Sequence, residues 1–197
     1  MKISVLTPTL QRESLIRCCQ SIDEQMFPAD QWEHIVAIDG RQINWEVMRR
    51  ASGTNRKIFL CGPYSNYGNG PRHEAWTVAK GDFVLYLDDD NFLADKHVLE
   101  DIAATVRGPS FISSDAGPAW YLFPILRFGQ KFFNDPPGLC RTDTANMVIR
   151  RDIGQWPNGP EYTMDGIFCE HLKANYPYKA FPEFRPIVVM EKANEGR

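Results

Sequence analysis

The chain has 197 residues, 43% of them hydrophobic and 24% charged, and its formal net charge is −3. This composition is ordinary for a globular domain and excludes the low-complexity and strongly charged classes of disordered protein. The small negative charge gives no general attraction to nucleic acid or to an anionic membrane surface. The length suits a single domain over residues 1–197.

Cysteine usage and apolar runs bear on the cellular compartment. The apolar run at residues 3–6 is too short for a signal peptide or a spanning helix, and no other run approaches membrane length. The number of cysteines is odd, and none of them forms a C-x-x-C pair, which favours a reducing compartment. They are Cys18, Cys19, Cys61, Cys140 and Cys169. We therefore expect a cytoplasmic protein without a transmembrane segment.

The first half of the chain alternates between strand and helix patterns. Predicted strands cover residues 3–6, 32–38, 57–61 and 83–87. Predicted helices cover residues 15–26, 44–51 and 71–79, the first with Leu15, Cys19, Ile22 and Met26 on its apolar face. Such alternation predicts an α/β fold with an open, mostly parallel sheet covered by helices on both faces.

The second half begins in the same way and then changes. We expect Asp95 to cap a helix that carries Val98, Leu99, Ile102 and Val106 on one side, followed by a strand at 111–113. Residues 116–140 are rich in Pro, Gly and aromatics, which suits either an acceptor-binding wall or lid, or an irregular layer packed over the sheet. The last predicted elements are a strand at 143–149, a helix at 163–174 that buries Ile167, Phe168 and Leu172, and a strand at 187–190.

Polar residues follow several of the predicted strands. Thr7-Pro8-Thr9, Asp39 and Asp88-Asp89-Asp90 each come directly after an apolar run. Ligands of open α/β sheets bind at the carboxyl ends of the strands. We therefore expect these residues to converge on one crevice although they are distant in sequence.

The three consecutive aspartates are the most informative of these groups. Adjacent carboxylates repel one another, and Asp is a poor strand former, so stability alone does not explain them. A hard divalent cation such as Mg²⁺ or Mn²⁺ takes carboxylate oxygens and shares its remaining positions with phosphate. The alternative is a polar turn that caps the next helix, for which one Asp would suffice.

Together these residues resemble the family 2 glycosyltransferases, inverting enzymes of the GT-A fold. The resemblance is carried by Val5-Leu6-Thr7-Pro8-Thr9 with Arg12, by Asp39-Gly40, by Gly70-Pro71-Arg72 with Ala75, by Gly81-Asp82 and by Leu87-Asp88-Asp89-Asp90-Asn91. It covers residues 3 to 95 well and the remainder loosely. The resemblance implies a single GT-A domain with a Rossmann-like, mostly parallel sheet flanked by helices. Residues 1–95 would be the nucleotide-binding half and 96–197 the acceptor-side half.

The resemblance also implies roles for individual residues. It assigns Asp90 to the metal ion, Mn²⁺ or Mg²⁺, with Asp89 or Asp88 on the ribose and Asp89 as a second metal candidate. The other nucleotide-binding residues would be Thr7, Pro8, Thr9, Asp39 and Arg72. Asp39 would accept a hydrogen bond from a uracil ring. Arg72 would contact the base or the diphosphate, since the helix dipole disfavours a cation in a first turn.

An inverting transfer needs a general base that takes the proton of the acceptor hydroxyl. Asp165 is the first candidate, because Thr163-Met164-Asp165-Gly166 lies at a predicted helix start where the family commonly has a Glu-Asp pair. Met164 replaces the first acidic residue of that pair. The alternative for Asp165 is a first-turn carboxylate that only complements the helix dipole. Asp143 is the second candidate base, or else a residue that holds the acceptor or the donor sugar.

These observations predict a metal-dependent inverting glycosyltransferase that moves a sugar from a nucleotide-sugar donor, expected to be a UDP-sugar, to a hydroxyl. The acceptor stays open among a glycan, a lipid-linked sugar, a protein, a small molecule and a modified nucleic-acid base. One alternative is a degenerate GT-A domain that binds nucleotide or glycan without transfer. Another is a sugar-nucleotide enzyme of a different reaction type. A haloacid-dehalogenase-type phosphotransferase would need its aspartates early in the chain, and a nucleotidyltransferase would need a Gly-rich basic loop after strand one.

Overall fold

The computed structural model describes residues 1–107, 117–139 and 141–191. The strands are β1 Ile3–Thr9, β2 Trp32–Asp39, β3 Arg56–Cys61, β4 Phe83–Tyr86, β5 Asn91–Leu93, β6 Trp120–Leu122, β7 Ile125–Arg127, β8 Gln130–Phe132, β9 Met147–Arg150, β10 Tyr178–Ala180 and β11 Val188–Met190. The helices are α1 Ser14–Asp23, α2 Trp45–Arg50, α3 Asn69–Val78, α4 Val98–Val106 and α5 Met164–Asn175.

Seven strands form the central sheet, in the order β10-β6-β9-β4-β1-β2-β3. Strand β1 pairs in parallel with β2 and with β4, β2 pairs in parallel with β3, and β6 pairs in parallel with β10. Strand β9 runs antiparallel to both of its neighbours, β4 and β6. The α/β class and the mostly parallel central sheet are therefore confirmed.

A second, smaller sheet lies beside the first and was not predicted. Its order is β5-β11-β7-β8, and it joins the segment after the aspartates to the last described strand. Its strands have three residues each, which is too short for a clear alternating pattern in the sequence. Only the pairing between distant segments defines them.

The two faces of the central sheet bury alternate residues of the same strands. On one face, Ile3 and Val5 of β1 pack in a cluster with residues of α1 and α4, and α2 packs beside α1. On the other face, Leu6 packs with residues of α3 and α5. All seven residues of β1 are buried, as expected for a strand that is covered on both sides.

Four sequence expectations need correction. Helix α1 ends at Asp23, so Met26 lies beyond it and is exposed, and Ile167 of α5 is exposed rather than buried. His97 occupies the N-cap position of α4, while the Asp95 carboxylate accepts from the His97 amide at 2.8 Å. Strand β9 begins only at Met147, because Asp143 caps a short 3₁₀ turn that precedes it.

Different residues of the aromatic segment fit the two alternatives that the sequence left open, a packing layer over the sheet and a wall of the binding site. Trp120, Tyr121 and Phe123 are buried in the core, whereas Phe128 and Phe132 line a cavity. The strand predicted at 111–113 and Cys140 lie outside the described residues. Cys18, Cys19, Cys61 and Cys169 are free thiols.

Across the described ranges, we find no helix that is both long enough and apolar enough to cross a membrane. Strand β4 of the first predicted half pairs with β9 of the second, so both halves contribute to one sheet. The division at residue 95 stays a prediction.

Candidate functional site

Two adjoining cavities lie at the carboxyl ends of the central strands. The first has a volume of about 580 Å³, and its walls include Pro8, Thr9, Asp39, Arg72 and all three aspartates of the turn. The convergence predicted from the strand ends is therefore seen. Thr7 is the exception, because its side chain is buried and its hydroxyl lies 2.9 Å from Nε2 of His34.

The second cavity has a volume of about 520 Å³ and extends towards the small sheet and helix α5. Asp143 and Asp165 lie in its wall together with Arg127 and aromatic side chains. Five residues line both cavities: Tyr67, Arg72, Asp88, Asp90 and Tyr162. Two of the three consecutive carboxylates thus lie at the boundary between the cavities.

The aspartates occupy a tight turn rather than a continued strand. Strand β4 ends at Tyr86, and the amide of Asn91 donates to the carbonyl of Asp88 at 3.0 Å. Within this turn the Asp89 side chain points into the protein and is 1% exposed, whereas Asp88 and Asp90 are partly exposed and line the cavities. Asp88 and Asp90 therefore share a side, as expected for a continued strand, although the strand has ended.

Protein donors occupy both oxygens of Asp89. The Thr9 hydroxyl donates to Oδ2 at 2.6 Å, and Nη2 of Arg12 donates to Oδ1 at 2.6 Å. Burial raises the pKa of Asp89, while these two hydrogen-bonding partners oppose that rise. A second nitrogen of Arg12 lies 3.5 Å from Asp90. The middle carboxylate is thus tied to strand β1 and to the loop that follows it.

Arg72 is buried in the first turn of α3, between the two cavities. Its Nη2 donates to Asp88, and its Nη1 donates to the carbonyl of Tyr67 at 2.9 Å. Its Nε is buried and has no hydrogen-bond partner within the described part of the chain. An unsatisfied buried donor on a cation is costly, and an anionic ligand would relieve that cost. Asp39, which also lines the first cavity, accepts from the amide of Tyr64 at 2.7 Å.

The carboxylate of Asp143 is held at the start of a short 3₁₀ turn. Its Oδ1 accepts from the amide of Ala145 at 3.0 Å, and the Asn146 side chain accepts from the Asp143 amide at 3.0 Å. Burial, and then the charge of Asp88, raises the pKa of Asp143 to about 6. This group therefore changes its charge close to neutral pH.

Asp165 is the second residue of helix α5, and its Oδ1 accepts from the amide of Gly166 at 2.8 Å. Burial raises its pKa, while the Gly166 hydrogen bond and the charge of Arg72 oppose that rise. Because Asp165 and Asp143 line the same cavity, either carboxylate could take a proton from a ligand bound there.

The donor set at the boundary suits a hard cation that shares its coordination with a ligand. Among the residues described, no group of three or more His, Cys, Asp or Glu side chains could hold a metal ion alone. Asp88 and Asp90 are nevertheless adjacent, partly exposed carboxylates, and burial followed by the charge of Asp88 raises the pKa of Asp90. Mg²⁺ is commonly bound by one or two carboxylates together with substrate phosphates and water, so these residues fit it.

Sequence reasoning missed several residues of the site. In the sequence Arg12 stands out only as part of a motif, and no motif marks Tyr67, Tyr162 or Arg127. Each lies in or beside a loop without hydrophobic periodicity, so its place in the site depends on tertiary packing. The turn-rich run Asn66-Tyr67-Gly68-Asn69 was the available signal for the first of these loops.

Comparison with known proteins gives both relatives and a family. Poly(ribitol-phosphate) beta-N-acetylglucosaminyltransferase TarS of Staphylococcus aureus is 32% identical over 109 residues, which is 54% of this chain and 19% of TarS. Poly(ribitol-phosphate) beta-glucosyltransferase of Bacillus spizizenii is 26% identical over 104 residues, which is 50% of this chain and 16% of that protein. The chain therefore spans less than a fifth of the length of these relatives.

Solved structures share the fold. The structure of S. aureus TarS 1-349 in complex with UDP-GlcNAc has a TM-score of 0.77 at 21% identity, covering 100% of this chain and 60% of that one. Mannosyltransferase PcManGT from Pyrobaculum calidifontis, in complex with GDP-Man and Mn²⁺, has a TM-score of 0.72 at 16% identity, covering 99% and 58%. The family model described as Glycosyl transferase family 2 matches residues 4–153, and the chain belongs to this family.

Proposed function

We propose that this protein transfers a sugar from a UDP-sugar to an acceptor hydroxyl, with inversion at the anomeric carbon and with Mn²⁺ or Mg²⁺ as cofactor. The observation that carries the proposal is the pair of cavities that meet at Asp88 and Asp90. One cavity has the polar strand ends suited to a nucleotide, and the other has two ionisable carboxylates suited to a hydroxyl nucleophile.

In this proposal the nucleotide lies in the first cavity. Asp39 accepts a hydrogen bond from the uracil ring, and Pro8 and Thr9 form the wall beside it. Thr7 contributes its backbone to strand β1, because its side chain is engaged with His34. The free Nε–H of Arg72 is available to the diphosphate.

Asp90 and Asp88 are the proposed carboxylates for the cation, and Asp88 is also the proposed contact for the ribose, since it lines the first cavity. Asp89 holds the turn in place instead, since Thr9 and Arg12 occupy its oxygens. When bound, Mn²⁺ or Mg²⁺ would neutralise the negative charge that develops on the diphosphate leaving group. The protein contributes to this neutralisation by orienting the carboxylates of Asp88 and Asp90 through the turn that carries them.

Asp165 is the proposed general base. It takes the proton from the acceptor hydroxyl while that oxygen bonds to the anomeric carbon and the bond to the diphosphate oxygen breaks. Asp143 then positions the acceptor or the donor sugar, because its Oδ1 is tied to the amide of Ala145. Exchange of these two roles is the alternative assignment.

The comparisons support a UDP-sugar donor, since a TarS structure of the same fold contains UDP-GlcNAc. The names of both curated relatives contain poly(ribitol-phosphate), which makes a polyol-phosphate polymer the first acceptor to test. Arg127 lies in the second cavity and makes no ion pair with any described residue, so a cation is available to an anionic acceptor. The free cysteines favour a cytoplasmic reaction.

The experiment measures UDP release from UDP-GlcNAc and UDP-glucose with Mn²⁺, with and without a poly(ribitol phosphate) acceptor, and determines the anomeric configuration of the product by NMR. We expect release that requires the cation and falls about 10²- to 10⁴-fold in the Asp165→Asn variant, with inverted product. UDP-sugar binding without release by the wild type would favour a domain that binds and does not transfer. Retained configuration would overturn the inverting mechanism.

A further inference from the structure

Two exposed tyrosines stand where the two cavities meet. Tyr67 is 65% exposed and Tyr162 is 77% exposed. Their ring centroids are 5.2 Å apart, with the ring planes at 78°. Both residues line both cavities, as Asp88 and Asp90 also do. The boundary between the cavities is therefore framed by two carboxylates and by a pair of aromatic rings.

The backbone of Tyr67 is held in a left-handed conformation that residues other than glycine rarely adopt. Its φ is 57°, and the following Gly68 has a φ of 81°. The carbonyl of Tyr67 accepts from Nη1 of Arg72 at 2.9 Å. Left-handed conformations at residues other than glycine persist only where the surrounding structure enforces them, and they cluster at functional sites. Arg72, the proposed contact of the diphosphate, therefore also supports the loop that carries Tyr67.

The loops that carry the tyrosines are tied together by amide side chains. The Asn69 side chain donates to the carbonyls of Gly159 and Glu161, both at 3.0 Å. The side-chain oxygen Oδ1 of Asn69 accepts from the indole nitrogen of Trp156 at 3.3 Å. Asn69 is buried, so these contacts are shielded from water. The two loops therefore form one unit, and the tyrosine pair does not depend on the single ring contact.

Each of these loops leads directly into a helix that carries a residue of the proposed mechanism. Tyr67 precedes α3, which contains Arg72, and Tyr162 precedes α5, which contains Asp165. On the proposed function, the diphosphate lies beside Arg72 and the acceptor hydroxyl beside Asp165. The sugar that passes from one to the other must occupy the space between them, where the tyrosine pair lies.

Neither tyrosine hydroxyl makes a hydrogen bond with any residue in the described part of the chain, and most of each side chain is exposed. A structural packing role accounts poorly for both features, because packing buries aromatic rings and pairs their hydroxyls. Ligand pockets commonly combine such rings with a few convergent polar groups. The apolar C–H face of a pyranose packs well against an aromatic ring. A tyrosine hydroxyl without another partner can form hydrogen bonds with the hydroxyls of the sugar.

We propose that Tyr67 and Tyr162 form an aromatic platform for the sugar moiety of the nucleotide-sugar donor, which holds that sugar at the boundary between the two cavities. This inference rests on the proposed function and goes beyond it by assigning the sugar subsite to two residues. The uridine makes its contacts elsewhere, on the walls formed by Pro8, Thr9 and Asp39.

The test compares binding of UDP, UDP-GlcNAc and UDP-glucose, each with Mn²⁺, by calorimetry. Tyr67→Ala and Tyr162→Ala should each weaken UDP-sugar binding about three- to tenfold, which is the ordinary worth of one aromatic contact, and leave UDP binding within about twofold of wild type. Tyr67→Phe should retain UDP-sugar affinity if ring packing dominates. Trp45→Ala is the matched control, because Trp45 is 73% exposed and belongs to neither cavity wall.

Results that would overturn the tyrosine platform differ from the result that would contradict the proposed function. Equal losses for UDP and UDP-sugars would assign the tyrosines to the nucleotide and overturn the platform, and so would unchanged affinities in both alanine variants. Absence of UDP-sugar binding by the wild type would contradict the proposed function itself. Thermal melting of each variant ensures that the comparison uses folded protein, and the high exposure of both side chains makes unfolding an unexpected result.

Discussion

The guanidinium of Arg12 donates to the carboxylate of Asp89 at 2.6 Å across 77 positions of sequence. The arginine side chain is 53% exposed, whereas its partner is 1% exposed. The Thr9 hydroxyl completes the arrangement at 2.6 Å. Because the middle carboxylate is drawn inwards, its neighbours Asp88 and Asp90 are directed into the cavities. The three aspartates therefore have two different environments and, we expect, two different roles.

Asp89→Ala should destabilise the fold, whereas Asp90→Ala should not. Asp89→Ala removes a buried acceptor of three hydrogen bonds and should lower the free energy of unfolding by about 1–3 kcal/mol. Asp90 is partly exposed and its contact with Arg12 is long, so its loss should change stability by less than about 1 kcal/mol. Urea unfolding of both variants measures the difference. Equal effects on stability would contradict the structural role assigned to Asp89.

UDP should stabilise the protein only when Mn²⁺ or Mg²⁺ is present, because the cation links the diphosphate to Asp88 and Asp90. At a UDP concentration near one hundred times Kd the gain should be about 2.7 kcal/mol. Thermal melting with UDP, with and without EDTA, gives the measurement. Asp90→Asn should abolish the gain while the protein remains folded. The same stabilisation in EDTA would remove the case for a cation.

Asp165→Asn should separate catalysis from binding. The substitution preserves side-chain size, so UDP and cation affinity should stay close to wild type, while kcat should fall about 10²- to 10⁴-fold, the usual worth of a positioned proton acceptor. Rates of UDP release and UDP affinities measured on one preparation test this. An active variant that melts at a lower temperature would identify Asp165 as a helix-start residue only and would transfer the base role to Asp143.

Asp143 should make stability depend on pH between about 4 and 6. Its folded pKa of about 6 lies above the unfolded value of about 3.9, so the folded state binds more protons in this window. The stabilising contribution is present below pH 4 and is lost as the pH rises through 6. Relative to Asp143→Asn, the wild type should lose on the order of 2–3 kcal/mol over this range. Unfolding of both proteins at pH 4 and pH 7 in EDTA provides the measurement, and parallel pH profiles would contradict the raised pKa.

If Asp143 acts as an anion in turnover, kcat/KM should also rise with pH as Asp143 ionises. This rise of kcat/KM with pH should be absent in Asp143→Asn, whatever activity the variant retains. A profile that is unchanged in the variant would show that another group titrates.

The order of strands and helices in the first half could be read from the sequence, because local hydrophobic periodicity reports burial on one or both faces. The run from Phe83 to Tyr86 is an example, since a strand covered on both sides must be apolar throughout. The same reasoning located the polar residues at the strand ends, because parallel strands end at one edge of the sheet. The motifs at the strand ends, taken together, likewise indicated the family, whose model matches residues 4–153.

Tertiary structure alone decided which of three identical side chains is buried. Nothing local distinguishes Asp89 from Asp88 and Asp90, and its environment comes from Thr9 at the end of strand β1 and from Arg12 in the loop that follows it. The small second sheet and the meeting of Tyr67 with Tyr162 also depend on contacts between remote segments. Sequence periodicity describes the environment of residues along one helix or strand. The arrangement of a site built from loops depends instead on how several elements pack together. The positions of the side chains at this edge of the sheet could therefore be known only from the tertiary structure.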